Sequence, residues 1–246
     1  MQLGTYRVHY QVQGKGEPLV LLHGLAGSRA WWVRNVGVLS RHYTVYLLDL
    51  PGFGAMRRYR NRFSVAGAAG WLGDLLNALH LGRVSLIGHS MGGLIAAIFA
   101  ARWPERLNKM VLAAPSIGLT RKAVTAFLIP LAIESFSVHP RFAPTLVWDT
   151  ARAGAFTLLR ATRELLNMNI ERELAQITTP CLLVWGQRDL LVPVALGGIL
   201  QSKIRESRLC ILPGAGHIVM YDRPGQFNGA VLEFLAKPCA HAAAHS

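Results

Sequence analysis

The string Gly-His-Ser-Met-Gly-Gly at residues 88–93 places a serine, Ser90, between glycines. It directly follows the apolar run 84–87 and opens the run 94–99, so the local order is strand, tight turn and helix. Glycines two residues before and after a serine in such a turn avoid the backbone collisions that Cβ atoms would cause. The pattern predicts that the Ser90 hydroxyl stands above the edge of a sheet as a nucleophile. From the turn alone, a serine that merely caps a helix stays an alternative.

A nucleophilic serine needs a base, usually a histidine, and the histidine needs an acid that fixes its tautomer. Asp189 lies in the string Gly-Gln-Arg-Asp-Leu-Leu-Val-Pro after one apolar run, and His217 ends the string Pro-Gly-Ala-Gly-His after the next. The order Ser90, Asp189, His217 is one of the chain orders in which this triad occurs. The sequence therefore predicts these three residues as catalytic. Asp49, which also follows an apolar run, is a second candidate for the acid.

The elements that must position these residues are short, mostly unalternating apolar runs, which are typical of buried parallel strands. The predicted strands are 20–22, 45–48, 84–87, 110–112, 181–185 and 209–212. Stretches with helical spacing lie between them, at 30–40, 65–79, 91–102, 194–202 and 225–235. This alternation predicts an α/β fold with a mostly parallel central sheet flanked by helices. Residues 6–12 alternate in polarity and lead through a turn to the first strand, which predicts an antiparallel hairpin at the sheet edge.

One segment interrupts this alternation, between residues 119 and 174. It contains no clear strand, its large apolar residues recur at roughly helical intervals, and it is too long for an ordinary loop. We predict a helical insertion at 119–174 between the two parts of a single sheet domain, 1–118 and 175–235. Residues 236–246 are low in complexity, and we expect them to form a disordered tail.

Composition restricts the function classes. The 246 residues include 26 Lys and Arg against 13 Asp and Glu, a formal net charge of +13 at pH 7, and 52% are hydrophobic. Such a chain buries one sizeable core. The densest basic cluster, at 56–62, would suit a nucleic-acid patch, but no nucleic-acid-binding motif accompanies it, so we expect no nucleic acid as a partner. The charge would also favour contact with an acidic carrier protein or an anionic interface.

The cysteines and the N-terminus indicate the cellular compartment in which the protein is expected. Cys181, Cys210 and Cys239 are odd in number and widely spaced, which indicates neither a disulfide framework nor a zinc site. The N-terminus lacks the pattern of a secretory signal, and no uncharged run has the length and character of a transmembrane helix. We therefore expect a cytoplasmic protein. The histidines show no ligand spacing, and serine chemistry requires neither a metal nor a cofactor, so none is predicted.

Two further strings accompany these motifs. His-Gly-Leu-Ala-Gly-Ser at 23–28 looks like an oxyanion loop, and Asp-Leu-Pro-Gly-Phe-Gly at 49–54 looks like the loop that follows the next strand. Together with the turn at Ser90 and the positions of Asp189 and His217, they resemble the α/β-hydrolase fold family, specifically its lid-bearing serine esterase-like branch. The resemblance covers nearly the whole chain.

The resemblance implies roles for further residues. The backbone N–H groups of Leu25 and Met91 would form an oxyanion hole, favoured by the N-terminal dipole of the helix that Met91 begins. The helical insertion would form a lid over the nucleophile. Candidates for the substrate pocket and the lid are Trp31, Phe127, Phe136, Trp148, Phe156 and Ile218.

A serine at the nucleophile position favours acyl transfer to water, because the dehalogenases and epoxide hydrolases of this family have an aspartate there. We expect a carboxylesterase-like serine hydrolase that cleaves small-molecule carboxylic esters with apolar groups through an acyl-enzyme. One alternative is a thioesterase or acyltransferase that uses CoA or acyl-carrier substrates. Another is a C–C bond hydrolase, although such enzymes often have a tryptophan where this chain has Ile218. A hydrolase-like protein that only binds a ligand is the remaining alternative.

Overall fold

The computed structural model describes residues 1–62, 64–119 and 138–237. Phe127, Phe136 and most of the predicted tail at 236–246 lie outside these residues, and so does much of the first half of the predicted insertion. In the described part of the chain, no helix combines the length and the apolar character needed to cross a bilayer.

Within the described residues, the central sheet has seven strands. They are β3 (Tyr10–Gln13), β4 (Pro18–Leu22), β5 (Thr44–Leu48), β6 (Val84–His89), β7 (Leu107–Ala113), β8 (Cys181–Gly186) and β9 (Ser207–Leu212). Their order is β3-β5-β4-β6-β7-β8-β9, with every neighbouring pair parallel except β3 and β5. Two short strands, β1 (Gln2–Leu3) and β2 (Tyr6–Arg7), pair with each other outside this sheet. The predicted, mostly parallel α/β sheet is confirmed.

The predicted edge hairpin is wrong. β3 does pair antiparallel at the edge of the sheet, but its partner is β5, with Tyr10 opposite Leu48 and Val12 opposite Tyr46. Both edges of β4 are occupied by parallel neighbours, β5 on one side and β6 on the other. β3 is mostly exposed, so it suits an outer position, whereas β4 is almost wholly buried.

Helices cover both faces of the sheet. They are α1 (Val36–Leu39), α2 (Val65–Ala78), α3 (Met91–Arg102), α7 (Ala195–Lys203), α8 (Val219–Asp222) and α9 (Pro224–Ala236), with 3₁₀ turns at Arg29–Trp32, Gly54–Arg62 and Pro104–Arg106. One apolar core contains residues of α2 and α3, and a second contains residues of α1, α8 and α9. The predicted helix at 30–40 is divided into a 3₁₀ turn and α1, and Asn35, a residue of low helix propensity, directly precedes α1.

A buried lysine fixes the last helix to the sheet. Lys109 of β7 donates from Nζ to the carbonyl oxygens of Phe234 (2.9 Å) and Leu235 (2.7 Å), and also to that of Lys237. These carbonyls end α9, where a cation is favoured by the helix dipole and by the unpaired acceptors of the last turn. The contact explains how a charged side chain can lie within the apolar interior.

The described residues between β7 and β8, where the sequence predicts the insertion, form three helices. They are α4 (Ala143–Ala153), α5 (Ala155–Asn167) and α6 (Glu171–Leu174). Gly154, with a φ of +80°, separates α4 from α5. Glu164 of α5 accepts the backbone N–H of Val65 at the start of α2 (2.7 Å), which caps that helix and attaches the inserted helices to the sheet domain.

Candidate active site

Three strands bring the predicted residues together at one edge of the sheet. Ser90 directly follows β6, Asp189 lies in the loop after β8, and His217 lies in the loop after β9. Ser90 Oγ is 3.0 Å from His217 Nε2, and His217 Nδ1 is 2.9 Å from Asp189 Oδ2. Carboxyl ends of parallel strands meet at the same sheet edge, which explains why residues so distant in sequence converge.

The turn at Ser90 has the strained backbone that the flanking glycines predict. Ser90 has a φ of +52° and a ψ of −115°, a conformation that costs free energy for a residue with a side chain. A Cβ on Gly88 would lie 2.3 Å from the Gly92 carbonyl oxygen, and one on Gly92 would lie 2.6 Å from the carbonyl oxygens of Leu22 and His23. The steric reason given for the glycines is therefore confirmed.

Asp189 is held so that one carboxylate oxygen faces the imidazole. Its Oδ1 accepts the backbone N–H groups of Leu191 (3.0 Å) and Val192 (2.8 Å), while Oδ2 accepts Nδ1–H of His217. With the proton on Nδ1, the Nε2 atom of His217 is free to accept the Ser90 hydroxyl proton. This arrangement has the geometry needed to activate Ser90 as a nucleophile.

A second serine, which the sequence reasoning missed, touches the first. Ser116 Oγ is 2.9 Å from Ser90 Oγ, and the backbone N–H of Ser116 donates to the Ser90 carbonyl (3.1 Å). Ser116 is buried and follows β7, the neighbour of β6. Its position just after a predicted strand was visible in the sequence, but the pairing of that strand with β6 was not.

A mainly apolar cavity of about 370 Å³ opens beside Ser90 and His217. The sheet domain and the inserted helices both line it. Its apolar lining includes Leu25, Trp31, Leu191 and Ile218 from the sheet domain and Leu146, Leu158, Leu159 and Leu165 from α4 and α5. Within the described residues, no Lys, Arg, Asp or Glu lines the cavity. Such a space favours an uncharged, apolar group next to the serine.

Two of the aromatic candidates for the pocket or the lid do not line the cavity. Trp148 of α4 is 62% exposed and Phe156 of α5 is 70% exposed. The cause at Trp148 is its neighbour Asp149, which accepts Ser28 Oγ–H (2.7 Å) and Trp31 Nε1–H (3.1 Å) inside the protein. Consecutive helical residues point about 100° apart, so turning Asp149 inward turns Trp148 outward.

The two amides predicted for an oxyanion hole lie near the serine. Leu25 lines the cavity, and Met91 follows Ser90 as the first residue of α3. No described residue accepts a hydrogen bond from the backbone N–H of Leu25 or Met91. Within the described residues, both amides therefore lack a protein acceptor.

Asp49, the alternative acid, has different partners. Its carboxylate accepts the backbone N–H of Arg29 (2.8 Å) and of Ala55 (3.0 Å) and pairs with the Arg29 guanidinium (2.6 Å). These contacts connect the loops at 23–28 and 49–54. They give Asp49 a turn-stabilising role, and Asp189 rather than Asp49 contacts His217.

Comparison with known proteins identifies the family. A sequence profile described as alpha/beta hydrolase fold matches residues 17–173. The chain belongs to the alpha/beta hydrolase family. It is 30% identical to the 2-hydroxy-6-oxononadienedioate/2-hydroxy-6-oxononatrienedioate hydrolase of Escherichia coli (strain K12), across 95% of this chain and 92% of that protein. This membership makes the chain a hydrolase.

Solved structures resemble this hydrolase over almost its whole length. A membrane phospholipase A has a TM-score of 0.81 and 25% identity, covering 93% of this chain and 82% of that chain. A malate-bound thermophilic esterase from Thermogutta terrifontis has a TM-score of 0.79 and 22% identity, covering 93% of this chain and 92% of that chain. The α/β-hydrolase fold is thus shared with proteins named for different substrates.

Two buried histidines brace the site of this hydrolase. His23 donates from Nδ1 to the Gly24 carbonyl (2.8 Å) and accepts the Leu50 N–H at Nε2 (3.0 Å), which requires a neutral ring. His89 lies beneath the serine turn, 3.0 Å from the His217 carbonyl oxygen. Burial lowers the pKa of His23 and lowers the pKa of His89 well below its ordinary value. Both rings are therefore neutral at pH 7.

These lowered pKa values predict acid-sensitive stability. Above the ordinary histidine pKa of about 6.5 the neutral rings cost nothing, but below it the unfolded chain binds protons that the folded chain cannot. We expect the free energy of unfolding to fall as the pH drops from about 6.5 to 5. Urea unfolding measured at several pH values in this range should show that the free energy of unfolding changes less steeply with pH in His23→Gln than in the native chain. His42→Gln, at an exposed position, is the matched control for the loss of a histidine. The same loss of unfolding free energy with falling pH in His23→Gln and in the native chain would contradict the assignment.

Proposed function

We propose that this hydrolase cleaves neutral carboxylic esters with an apolar acyl group through an acyl-enzyme on Ser90. The observation that carries the proposal is the hydrogen-bonded series of Ser90, His217 and Asp189 at the wall of an apolar cavity. In this proposal the helices at 143–174, as part of the predicted insertion 119–174, act as the lid that covers the acyl group.

The proposed reaction begins with attack of Ser90 Oγ on the ester carbonyl carbon. His217 Nε2 takes the hydroxyl proton, and Asp189 stabilises the imidazolium. The carbonyl electron pair moves to oxygen, where the amides of Leu25 and Met91 donate to the negative charge at the N-terminus of α3. The tetrahedral intermediate collapses, the alkoxide leaves with the proton from His217, and the acyl group stays on Ser90.

Deacylation repeats these steps with water. His217 removes a proton from the water, hydroxide attacks the acyl carbonyl, and collapse returns the proton to Ser90 Oγ as the carboxylic acid leaves. In this scheme Ser116 is a positioning residue, because its hydroxyl lies within hydrogen-bond distance of Ser90 Oγ and restricts its rotamer. The scheme requires neither a metal nor a cofactor.

Cleavage of a C–C bond is the second candidate, since the Escherichia coli relative is named for a dienedioate substrate. A dioate carries two carboxylates, and such groups are normally bound by Arg or Lys. The described lining of the cavity contains neither Arg nor Lys. The cavity therefore favours a neutral ester.

A substrate panel tests this choice. The purified chain should hydrolyse p-nitrophenyl esters of graded acyl length with a higher kcat/KM than it shows for a 2-hydroxy-6-oxodienedioate or for acyl-CoA. A faster reaction with the dienedioate would favour the C–C hydrolase. A faster reaction with acyl-carrier thioesters that weakens strongly with salt would favour a carrier-protein partner, since only charge-steered association depends steeply on salt.

A further inference from the structure

The outer surface of α4 and α5 exposes large apolar side chains. Val147 is 67% exposed and Leu159 is 37% exposed, in addition to Trp148 and Phe156. These four residues, which we call the outer apolar stripe, are on two consecutive helices joined at Gly154. Grouped apolar exposure on neighbouring elements differs from the scattered single residues of an ordinary surface and indicates a binding face.

Exposed or partly exposed arginines lie on α4, on α5 and on the 3₁₀ turn beside α4. α4 packs against the 3₁₀ turn Gly54–Arg62, which carries the exposed residues Arg57 and Arg58 of the basic cluster noted in the sequence. On α4 the Arg152 guanidinium lies 5.5 Å from the centre of the Trp148 ring, and on α5 Arg163 is exposed.

The acidic residues of the two helices do not offset this charge at the surface. Asp149 is buried, where it accepts hydrogen bonds from Ser28 and Trp31. Glu164 is turned towards the start of α2, where it accepts the N–H of Val65. The exposed charge of α4 and α5 is therefore positive, and the net charge of +13 adds a long-range attraction for anionic surfaces.

One residue of the stripe also lines the cavity. Leu159 lines the cavity beside Ser90 and is at the same time partly exposed on the outer face of α5. Ala155, at the start of α5, likewise lines the cavity and is exposed. The outer apolar stripe and the cavity beside Ser90 therefore share Leu159.

We propose that the outer face of α4 and α5 docks on a lipid surface that carries negative charge. Indole and phenyl rings insert at the level of lipid headgroups, and neighbouring arginines bind anionic headgroups, so both halves of this face are satisfied by one partner. A second copy of the chain would satisfy the apolar stripe but would bring like-charged arginines together. The inference needs no reaction at Ser90 and is therefore independent of the proposed ester chemistry.

Vesicle co-sedimentation tests the charged part of the face. The chain should bind vesicles of phosphatidylcholine mixed with phosphatidylglycerol, bind phosphatidylcholine alone much more weakly, and lose affinity as salt increases. Arg57→Gln combined with Arg58→Gln should weaken binding roughly 30-fold, as expected for two basic residues at an anionic surface. The matched control is Arg205→Gln combined with Arg208→Gln, which removes the same charge from exposed positions at and before the opposite edge strand β9.

A second pair of variants tests the apolar part. Trp148→Ser combined with Phe156→Ser should weaken vesicle binding at least roughly tenfold, since each substitution removes a ring that the native chain would bury at the lipid surface. Ile199→Ser combined with Ile211→Ser, at exposed positions of α7 and β9, should not weaken it. The thermal unfolding midpoint of each variant shows that it folds. The proposal is overturned if the chain does not bind anionic vesicles, if the control pairs weaken binding equally, or if light scattering shows a dimer that the stripe variants dissociate while vesicle binding is absent.

Discussion

Replacing Ser90 with alanine is expected to lower kcat for p-nitrophenyl ester hydrolysis by about 10⁴-fold or more, because the acyl-enzyme cannot form without its oxygen. The same substitution should prevent covalent labelling by a fluorophosphonate. Binding of the ester substrate should persist, since the cavity keeps its apolar lining. Steady-state kinetics and intact-mass measurement of the labelled protein test both expectations.

Ser116 supplies the control for this experiment, because two hydroxyl groups lie only 2.9 Å apart in the site. Ser116→Ala should still be labelled on Ser90 and should lose no more than roughly tenfold in kcat, the effect of one hydrogen bond. Labelling of Ser116 in the Ser90→Ala chain, or near-native activity of that chain, would show that Ser90 is not the nucleophile.

Replacing Asp189 with asparagine should lower kcat by about 10⁴-fold with little change in fold. The asparagine oxygen can still accept the N–H groups of Leu191 and Val192, as Oδ1 does now. Its NH₂ group would then face His217 Nδ1 and favour the tautomer with the proton on Nε2. In that tautomer His217 cannot accept the proton of Ser90.

Asp49→Asn is the matched substitution at the other aspartate that follows a strand. It removes the ion pair with Arg29 but changes no contact of His217, so we expect lower stability and a kcat within roughly tenfold of the native value. Measuring kcat well below each unfolding midpoint separates the two effects. A larger loss of kcat in Asp49→Asn than in Asp189→Asn would contradict the assignment of the acid.

Much of the site follows from local sequence. The turn at 88–93 could be interpreted because the glycines have a steric cause that acts within a few residues and that the backbone geometry of Ser90 bears out. Asp189 and His217 could be placed because each follows a strand, and carboxyl ends of parallel strands share one edge. Ser116 escaped notice because its importance depends on β7 lying beside β6, which no local pattern specifies.

Strand pairing could likewise be predicted only in part from local sequence. The alternation of residues 6–12 indicates an extended, half-exposed segment, and β3 is one. Its partner could not be predicted, because the local sequence of residues 6–12 is compatible with pairing to either β4 or β5. Competition decided the outcome: β4 is buried between two parallel strands and leaves no edge for β3.

The alternation of strands and helices, the strained serine turn and the chain order of Ser90, Asp189 and His217 could be predicted from the sequence, because short-range sterics and apolar periodicity act on neighbouring residues. Which side chains of the inserted helices face the cavity depends instead on tertiary packing. Helical spacing fixes an apolar face but not its rotation about the helix axis. In α4 that rotation follows from the buried hydrogen bonds of Asp149 to Ser28 and Trp31, which direct Trp148 outward.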